Sequence, residues 1–399
     1  MEANDKEIVT GNAKFLRELN TQTILRLIRE RQPISRVKIA KLTGLSKPTV
    51  SSIIAELLQE DLIFEKVGEG QGVGRNPVNL SLKLGKHFVG AIEIDSPVTN
   101  IGITDIDGRM ISISSILTDV GTPKATIAKC VKELRTVCTS LKIDQLKGLG
   151  VSVPGIVSSE GEIVEFAPNL SWRNFGIRKM IQKFIPDVRD ITIGNGAKLA
   201  ALAELWFGTH ETDLTNFVFL SITPGIGSGI VIGKRLLEGE NQESGEFGHM
   251  VINDGGELCS CGNSGCLEAY ASDRATASRY SVKAHQAEMR YSMEAIISKA
   301  REGDTNANDV LRQTGYYLGL GISNIVKTID PHAIIIGGLI TQVWDIVYPE
   351  IMEVVRTRAY FGRTKGLEIL PTSLKVPPRL LGAAAVAIEK MFLDYGPSS

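Results

Sequence analysis

Between Gly245 and Tyr270 the chain reads GEFGHMVINDGGELCSCGNSGCLEAY, and the stretch from His249 to Cys266 holds three of its five cysteines and one of its five histidines. Within it, GGELCSCGNSGC is rich in glycine and short of large apolar side chains, so burial of apolar surface cannot give it a shape. Such a segment needs cross-links or a metal. The cysteine count is odd and the amino terminus, MEANDKEIVTGNAKFLREL, is polar and unlike a secretory signal, which argues against a disulfide framework. The spacing is His249, nine residues, Cys259-x-Cys261, four residues, Cys266. Thiolates and imidazole are the donors that zinc prefers, and four of them close a tetrahedron with no position left for water. The spacing therefore predicts a structural Zn2+ on His249, Cys259, Cys261 and Cys266. Cys130 and Cys138, in the helix-like AKCVKELRTVC, read as buried thiols.

The rest of the chain is long enough for two or three domains: 399 residues, 43% hydrophobic and 22% charged, can bury more than one core. No run of about 18 apolar residues marks a membrane span, and the reading is a cytoplasmic protein.

Residues 1–84 carry the pattern of a winged helix-turn-helix. Ile24, Leu25, Leu27 and Ile28 recur at helical spacing, and Pro33 stops that helix. Ser35 can cap a second helix bearing Val37, Ile39, Ala40 and Leu42, and a turn at Gly44 leads to a third that starts at Ser46 with Pro48 in its first turn. Val50, Ile53, Ile54, Leu57 and Leu58 form the buried face of this third helix. Lys47, Thr49, Ser51 and Ser52 lie on the other face, as short donors suited to phosphates and base edges in a major groove. LIFEKVGEG and NPVNLSLKL then alternate as two strands of a wing. In its tip, GRNP offers Arg75 as an extended guanidinium for an A·T-rich minor groove. Residues 1 to 85 hold 13 Lys or Arg against 10 Asp or Glu, an excess that permits DNA binding without demanding it. A three-helix module that docks proteins is the alternative.

From Phe88 the texture changes to short glycine-punctuated strands, FVGAIEI, NIGITDIDG, GLGVSVPGIV, FVFLSITPGIGSGIVI and AIIIGGLI, with helical patterns such as GAKLAALAELWFG between them. The class is α/β. The glycines of TPGIGSGIVIG either bring hairpin amides to a ligand or serve turns alone.

The order of VPGIV, NLSW, GNGAKLAALAE, TPGIGSGIVIG, GEFGH, CSCGNSGCLE and DPHAIIIGG resembles the ROK family of repressors and sugar kinases, over nearly all of the chain after residue 85. A winged helix in front resembles the family's sugar-responsive repressor branch. The resemblance implies two lobes of the actin and hexokinase type, ribonuclease-H-like, with sugar bound in the cleft. The first lobe is then 85–196, completed by 379–399, and the second, with the zinc loop, is 197–378.

The resemblance also places sugar contacts at Asn195, Glu246, His249 and Glu268. The two carboxylates would accept hydrogen bonds from sugar hydroxyls, and His249 would bind zinc through one ring nitrogen and offer the other to a hydroxyl. Asn169 is a further candidate, with a turn asparagine as the alternative. Trp172 either stacks on a sugar face or fills the core, the core being the stronger reading. Where the family's kinases carry a catalytic aspartate after the asparagine, this chain has Gly196, which can neither orient a hydroxyl nor take its proton. In EIDSPVTNIGI, Asp95 is kept, but Pro97 and Val98 stand in place of the kinases' phosphate-loop glycines. The expectation is a regulator and no enzyme, with an ATP-dependent sugar kinase as the alternative. Its expected partners are a pseudo-palindromic double-stranded operator, a small sugar effector and a second copy of the chain. The short joint SLKLGKHF would pass lobe movement to the wing domains.

Overall fold

The structure, a computed structural model, describes residues 13–67, 78–158, 160–212, 214–285, 288–289, 291–358 and 366–394. The amino-terminal module consists of α1 (Ala13–Arg31), β1 (Ile34–Ser35), α2 (Arg36–Thr43), α3 (Lys47–Gln59), β2 (Ile63–Val67) and β3 (Val78–Leu82), the strands pairing in the order β1-β3-β2. The predicted caps form: the Ser35 hydroxyl accepts from Lys38 N, that of Ser46 accepts from Thr49 N, and Gly44 ends α2 at φ +72°. Ile24, Leu25, Ile28, Val50, Ile53, Ile54 and Leu57 are buried together. Helix α2 departs from the expected pattern, because Ile39 is buried while Val37 and Leu42 stand in solvent. The wing pairs Ile63 with Leu82 and Val67 with Val78. Its tip, with Arg75, lies outside the described residues.

Two further sheets repeat one topology. The first is built from β4 (Phe88–Glu93), β5 (Val98–Asp105), β6 (Met110–Leu117), α4 (Pro123–Leu141), β7 (Gly148–Val153), a small sheet β8 (Ile156–Val157), β9 (Val164–Ala167) and β10 (Trp172–Phe175), then α5 (Ile177–Phe184) and β11 (Ile191–Asn195). After α6 (Gly196–Phe207), the second follows as β12 (Phe217–Ile222), β13 (Ile226–Ile232), β14 (Arg235–Leu236), α7 (Leu267–Ala271), α8 (Asp273–Lys283), α9 (Met293–Arg301), α10 (Thr305–Ile329), β15 (Ala333–Gly337), α11 (Trp344–Arg358), β16 (Glu368–Pro371) and α12 (Pro378–Asp394). The large sheets run β11-β7-β4-β5-β6 and β14-β13-β12-β15-β16. In each, an antiparallel three-stranded meander is extended by two parallel strands on its first member. Parallel strands covered on both faces need continuous apolar sequence, which IIIG in β15 and GLGVSV in β7 supply.

Helix α6 leaves the last strand of the first sheet and packs on β12 and β13 of the second. Helix α12 makes the reciprocal crossing onto β4 and β7, and the two helices pack on each other. Gly150 admits this approach, since a Cβ there would fall 1.7 Å from the Ala383 carbonyl oxygen. Helix α1 lies against α12, so the cores of the amino-terminal module and the first lobe merge. The joint between them has little play: Lys83 and Lys86 both pair with Asp61, and Gly85 N donates to Asp105 Oδ2 at 2.6 Å. No helix among the described residues is long and apolar enough to cross a membrane.

Candidate functional site

The cysteine loop is shaped before any metal is considered. Val251 bridges to Cys266 and Leu258 to Ser264, Gly265 N donates to Glu257 O, and the Tyr270 hydroxyl accepts from both Asn253 Nδ2 and Glu257 N. Gly265, at φ +82°, lets the chain pass where a Cβ would meet Asn253 O at 1.9 Å. The donor atoms of His249, Cys259, Cys261 and Cys266 all lie within 4.8 Å of one another. Two separations are 3.6 Å (His249 Nδ1 to Cys259 Sγ) and 3.8 Å (Cys261 Sγ to Cys266 Sγ). A tetrahedron with bonds of about 2.0–2.3 Å has edges of about 3.3–3.8 Å, so this His/Cys3 cluster can hold a metal ion.

On the other side of His249 lies a cavity of 360 Å³ between the two lobes, and every residue put forward from the sequence as a sugar contact lines it: Asn169, Asn195, Glu246, His249 and Glu268. His249 turns Nε2 toward Glu246 Oε2, 4.0 Å away. Glu268, buried in the first turn of α7, accepts Ile226 N at 2.9 Å and the Ser260 hydroxyl at 2.7 Å. The amide at the end of the TPGIGSG hairpin therefore goes to this carboxylate. Ser260 sits between two of the cysteines, so the shape of the loop sets where Glu268 points.

Asn195 has a second duty. Its Oδ1 caps α6 by accepting from Ala197 N and Lys198 N, while Nδ2 donates to Gly155 O at 2.8 Å, leaving one N–H for a ligand. Asn169, in a short 3-10 turn after β9, is half-buried at the rim. Trp172 is wholly buried edge-on to Phe175 and away from the cavity, so it fills the core.

Two lining residues, Glu243 and Arg379, and a buried neighbour, Lys198, escaped the sequence reading. Glu243 lines the mouth. Lys198 is buried within α6, its Nζ donating to the carbonyls of Glu238 and Gln242, and burial pulls its pKa down. Arg379, at the start of α12, pairs with Glu93 at 2.8 Å and Asp95 at 2.6 Å at the end of β4. Burial alone would lower its pKa, but the two carboxylates more than offset that and raise it. A lone charge opening the apolar RLLGAAAVAI was the available signal. A Cβ at Gly196 would fall 3.0 Å from both Arg379 Cδ and Ser152 Oγ.

In the amino-terminal module, Lys47, Ser51 and Ser52 are exposed on α3, and Thr49 is half-buried. Two of the four side chains are already engaged. The Thr49 hydroxyl lies 2.8 Å from that of Ser46, and Ser52 Oγ accepts from Arg17 of α1, which also pairs with Glu56. Lys47 and Ser51 present themselves to solvent.

A helix-turn-helix module fixed to a two-lobed actin-like cleft, with carboxylates, amides and a His/Cys3 cluster on the cleft wall, defines a DNA-binding protein with a built-in small-molecule site. Residues 89–390 match the ROK family and residues 19–64 the MarR family. The chain belongs to the ROK family, with a MarR-type DNA-binding domain in front. It is 34% identical over 385 residues to a xylose repressor of Bacillus spizizenii, covering 95% of this chain and 97% of that one. A crystal structure of a ROK family transcriptional regulator, a homologue of the Escherichia coli MLC protein, matches at a TM-score of 0.81 and 28% identity over 95% of this chain and 97% of that one. A ROK family glucokinase from Streptomyces griseus, solved with glucose and AMPPNP, shares the fold at a TM-score of 0.66 and 24% identity, over 75% of this chain and 99% of its own.

Proposed function

We propose that the protein is a sugar-responsive transcriptional repressor whose hold on an operator changes when a sugar occupies the 360 Å³ cavity. The observation that carries this reading is convergence: Asn169, Asn195, the neighbours Glu246 and His249, and Glu268 come from four segments to one cavity, in a chain with a DNA-binding domain in front. Acceptor carboxylates beside amide donors suit the alternating hydroxyls of a sugar. Zinc bound by His249, Cys259, Cys261 and Cys266 would fix the loop and so hold Ser260, Glu268 and the free nitrogen of His249 in place, a structural role. Regulation without phosphoryl transfer is supported by Gly196, which lacks a carboxylate, by Arg379 lying over it, and by Pro97 and Val98 in the hairpin between β4 and β5.

On DNA, Lys47 and Ser51 of α3 are the leading contacts in the major groove, Thr49 and Ser52 serve the module's own packing as well, and Arg75 is proposed for the minor groove. A homodimer would set two such helices on a pseudo-palindrome. The coupling runs through α6. Its first turn, capped by Asn195, borders the cavity, and its last turn presents Trp206 to Arg29 of α1, whose guanidinium carbon lies 3.8 Å from the ring centroid. A shift of α6 on sugar binding therefore moves the module that carries α3.

The test measures operator affinity of the full chain with and without D-xylose, glucose and N-acetylglucosamine, taking the sugar that gives the largest thermal shift. A change of roughly 5- to 150-fold is expected, corresponding to a typical coupling of about 1–3 kcal/mol. Glu246→Ala and Glu268→Ala should remove the effect and leave sugar-free DNA binding intact. Equal affinities with and without bound sugar would overturn the reading.

A further inference from the structure

Next to the sugar cavity lies a second space of 1270 Å³, and both are lined by Pro168, Asn169, Ser221, Thr223, Ser260 and Arg379. The first has the volume of one sugar ring with its hydroxyls, at the low end of the roughly 300–1,000 Å³ range of ligand pockets. The second exceeds that range. Its lining combines apolar surfaces, from Ile222, Pro224, Met293 and Leu339, with the carboxyl groups of Asp273 and Glu294.

Asp273 carries the argument. It opens α8, its backbone N–H donates to Thr223 O, and its side chain lines the second cavity, yet the buried Oδ1 has no hydrogen-bond partner. A buried carboxyl oxygen left unpaired costs about 1–3 kcal/mol, so proteins place such groups where something else bonds them. Among the described residues no cation does so. Arg379 is committed to Glu93 and Asp95, and Arg274 to the Pro224 carbonyl, with Glu268 at 3.8 Å. The partner to be expected is a hydroxyl donor from a ligand.

A phosphorylated ligand does not suit this space. Of its three cations Arg379 is neutralised by Glu93 and Asp95, and Asp273 and Glu294 stand against the remaining Arg274 and Lys375, so the lining offers a phosphate no excess of positive charge. A neutral, hydroxyl-rich molecule meets both the carboxyl groups and the apolar surfaces, against which its C–H faces can lie. The same residues face both cavities, so the two are adjacent parts of one cleft, and a molecule longer than one sugar ring is the kind that would span them.

We infer that the effector is an oligosaccharide, one sugar unit in the 360 Å³ cavity and the next in the 1270 Å³ cavity against Asp273. This deepens the sugar-responsive reading and rests on it. The experiment is calorimetry on the full chain with matched pairs: xylose and xylobiose, glucose with cellobiose, maltose and isomaltose, and N-acetylglucosamine with chitobiose, with Mg·AMPPNP as the phosphorylated control. At least one disaccharide should bind about tenfold or more tightly than its monosaccharide, the gain expected from one charge-assisted hydrogen bond with added apolar contact. Asp273→Leu removes only a group without a protein partner, so the fold should hold. That variant should erase the disaccharide's advantage while leaving monosaccharide affinity unchanged, and Asp273→Asn should restore part of it. Disaccharides no tighter than their monosaccharides, equal losses on both in Asp273→Leu, or AMPPNP binding in the sugar's stead would overturn the inference alone. Failure of every carbohydrate to bind would overturn the sugar-responsive reading with it.

Discussion

Asp273 combines burial, the neighbouring Glu294 carboxylate and only distant relief from Arg379, which together push its carboxyl up to about 7. Its folded pKa is thus above its unfolded value, so the folded state binds the proton more tightly. No penalty exists below about pH 4, and one builds as pH rises toward 7 and the buried group must ionise. Asp273→Asn removes the titration. The variant is expected to match the parent's stability near pH 4 and to exceed it at pH 8 by roughly 1–3 kcal/mol, read by denaturant titration at both values. Parallel stability curves for the two proteins across this range would show that the carboxyl titrates normally. Glu204 differs in its partners: buried in α6, its carboxylate accepts from Thr372 Oγ1, Ser373 N, Ser373 Oγ and His210 Nε2.

At the scale of elements, the cysteine loop divides into two halves with different supports. Residues 253–257 hang on the Tyr270 hydroxyl and on backbone bonds, whereas Cys259–Cys266 has its own backbone bonds and the donor cluster. Purified protein is expected to contain about one zinc per chain, measured by elemental analysis. Cys259→Ser, or chelation, should release Ser260 from Glu268 and weaken sugar binding by about tenfold or more, comparable to losing one hydrogen bond to a charged group at about 1.5–3 kcal/mol. Fluorescence or proteolysis should report loosening of the second half alone. Zinc-free protein that binds sugar normally would mean that the loop's own hydrogen bonds suffice.

For the molecule as a whole, the question is how a cavity between two lobes reaches a module at the amino terminus. The joint SLKLGKHF, to which the sequence pointed, is pinned on both sides through Asp61 and Asp105, which suits a stiff connection, and α6 is proposed as a second route. Helix α6 joins the two sites in one rigid element of about 18 Å, from its 12 residues at 1.5 Å each. Arg29, which its far end contacts, is buried enough that its pKa falls to about 10, and its Nε and Nη2 lack hydrogen-bond partners. Its guanidinium lies against the rings of Trp206 and Phe207, with Nη1 donating to Trp206 O at 3.5 Å and Glu30 Oε1 3.8 Å from Nη2. Arg29→Ala, with Trp206→Leu as a second variant, is expected to leave sugar affinity and sugar-free operator affinity within about threefold while the ratio of operator affinities with and without sugar falls toward one. By linkage, the operator's effect on sugar affinity should fall by the same factor. A preserved ratio in both variants would exclude α6 as the route.

Local chemistry made much of this legible in the sequence. Ser35, Gly44, Ser46 and Pro48 bracket the helices of the DNA-binding module because caps and turns are decided within a few residues. The His/Cys3 spacing likewise sufficed for a cluster that can hold a metal ion, since its donors lie on one short segment. Helix α2 could not be read so, because whether Val37 and Leu42 face a core depends on what packs there. Nor could Thr49 and Ser52, whose hydroxyls are engaged by Ser46 and by Arg17, the latter 35 residues away. Arg379 joins Glu93 and Asp95 across some 280 residues only because the second lobe returns α12 to the first sheet, and Asp273 is left unpaired only by the lobes around it. The sequence by itself determined the elements, the class and the donors of the metal cluster, whose interactions are short-range. Tertiary structure alone decided which charges meet, which stay unpaired and how the cleft touches the DNA-binding module, because those depend on distances that the two crossing helices set.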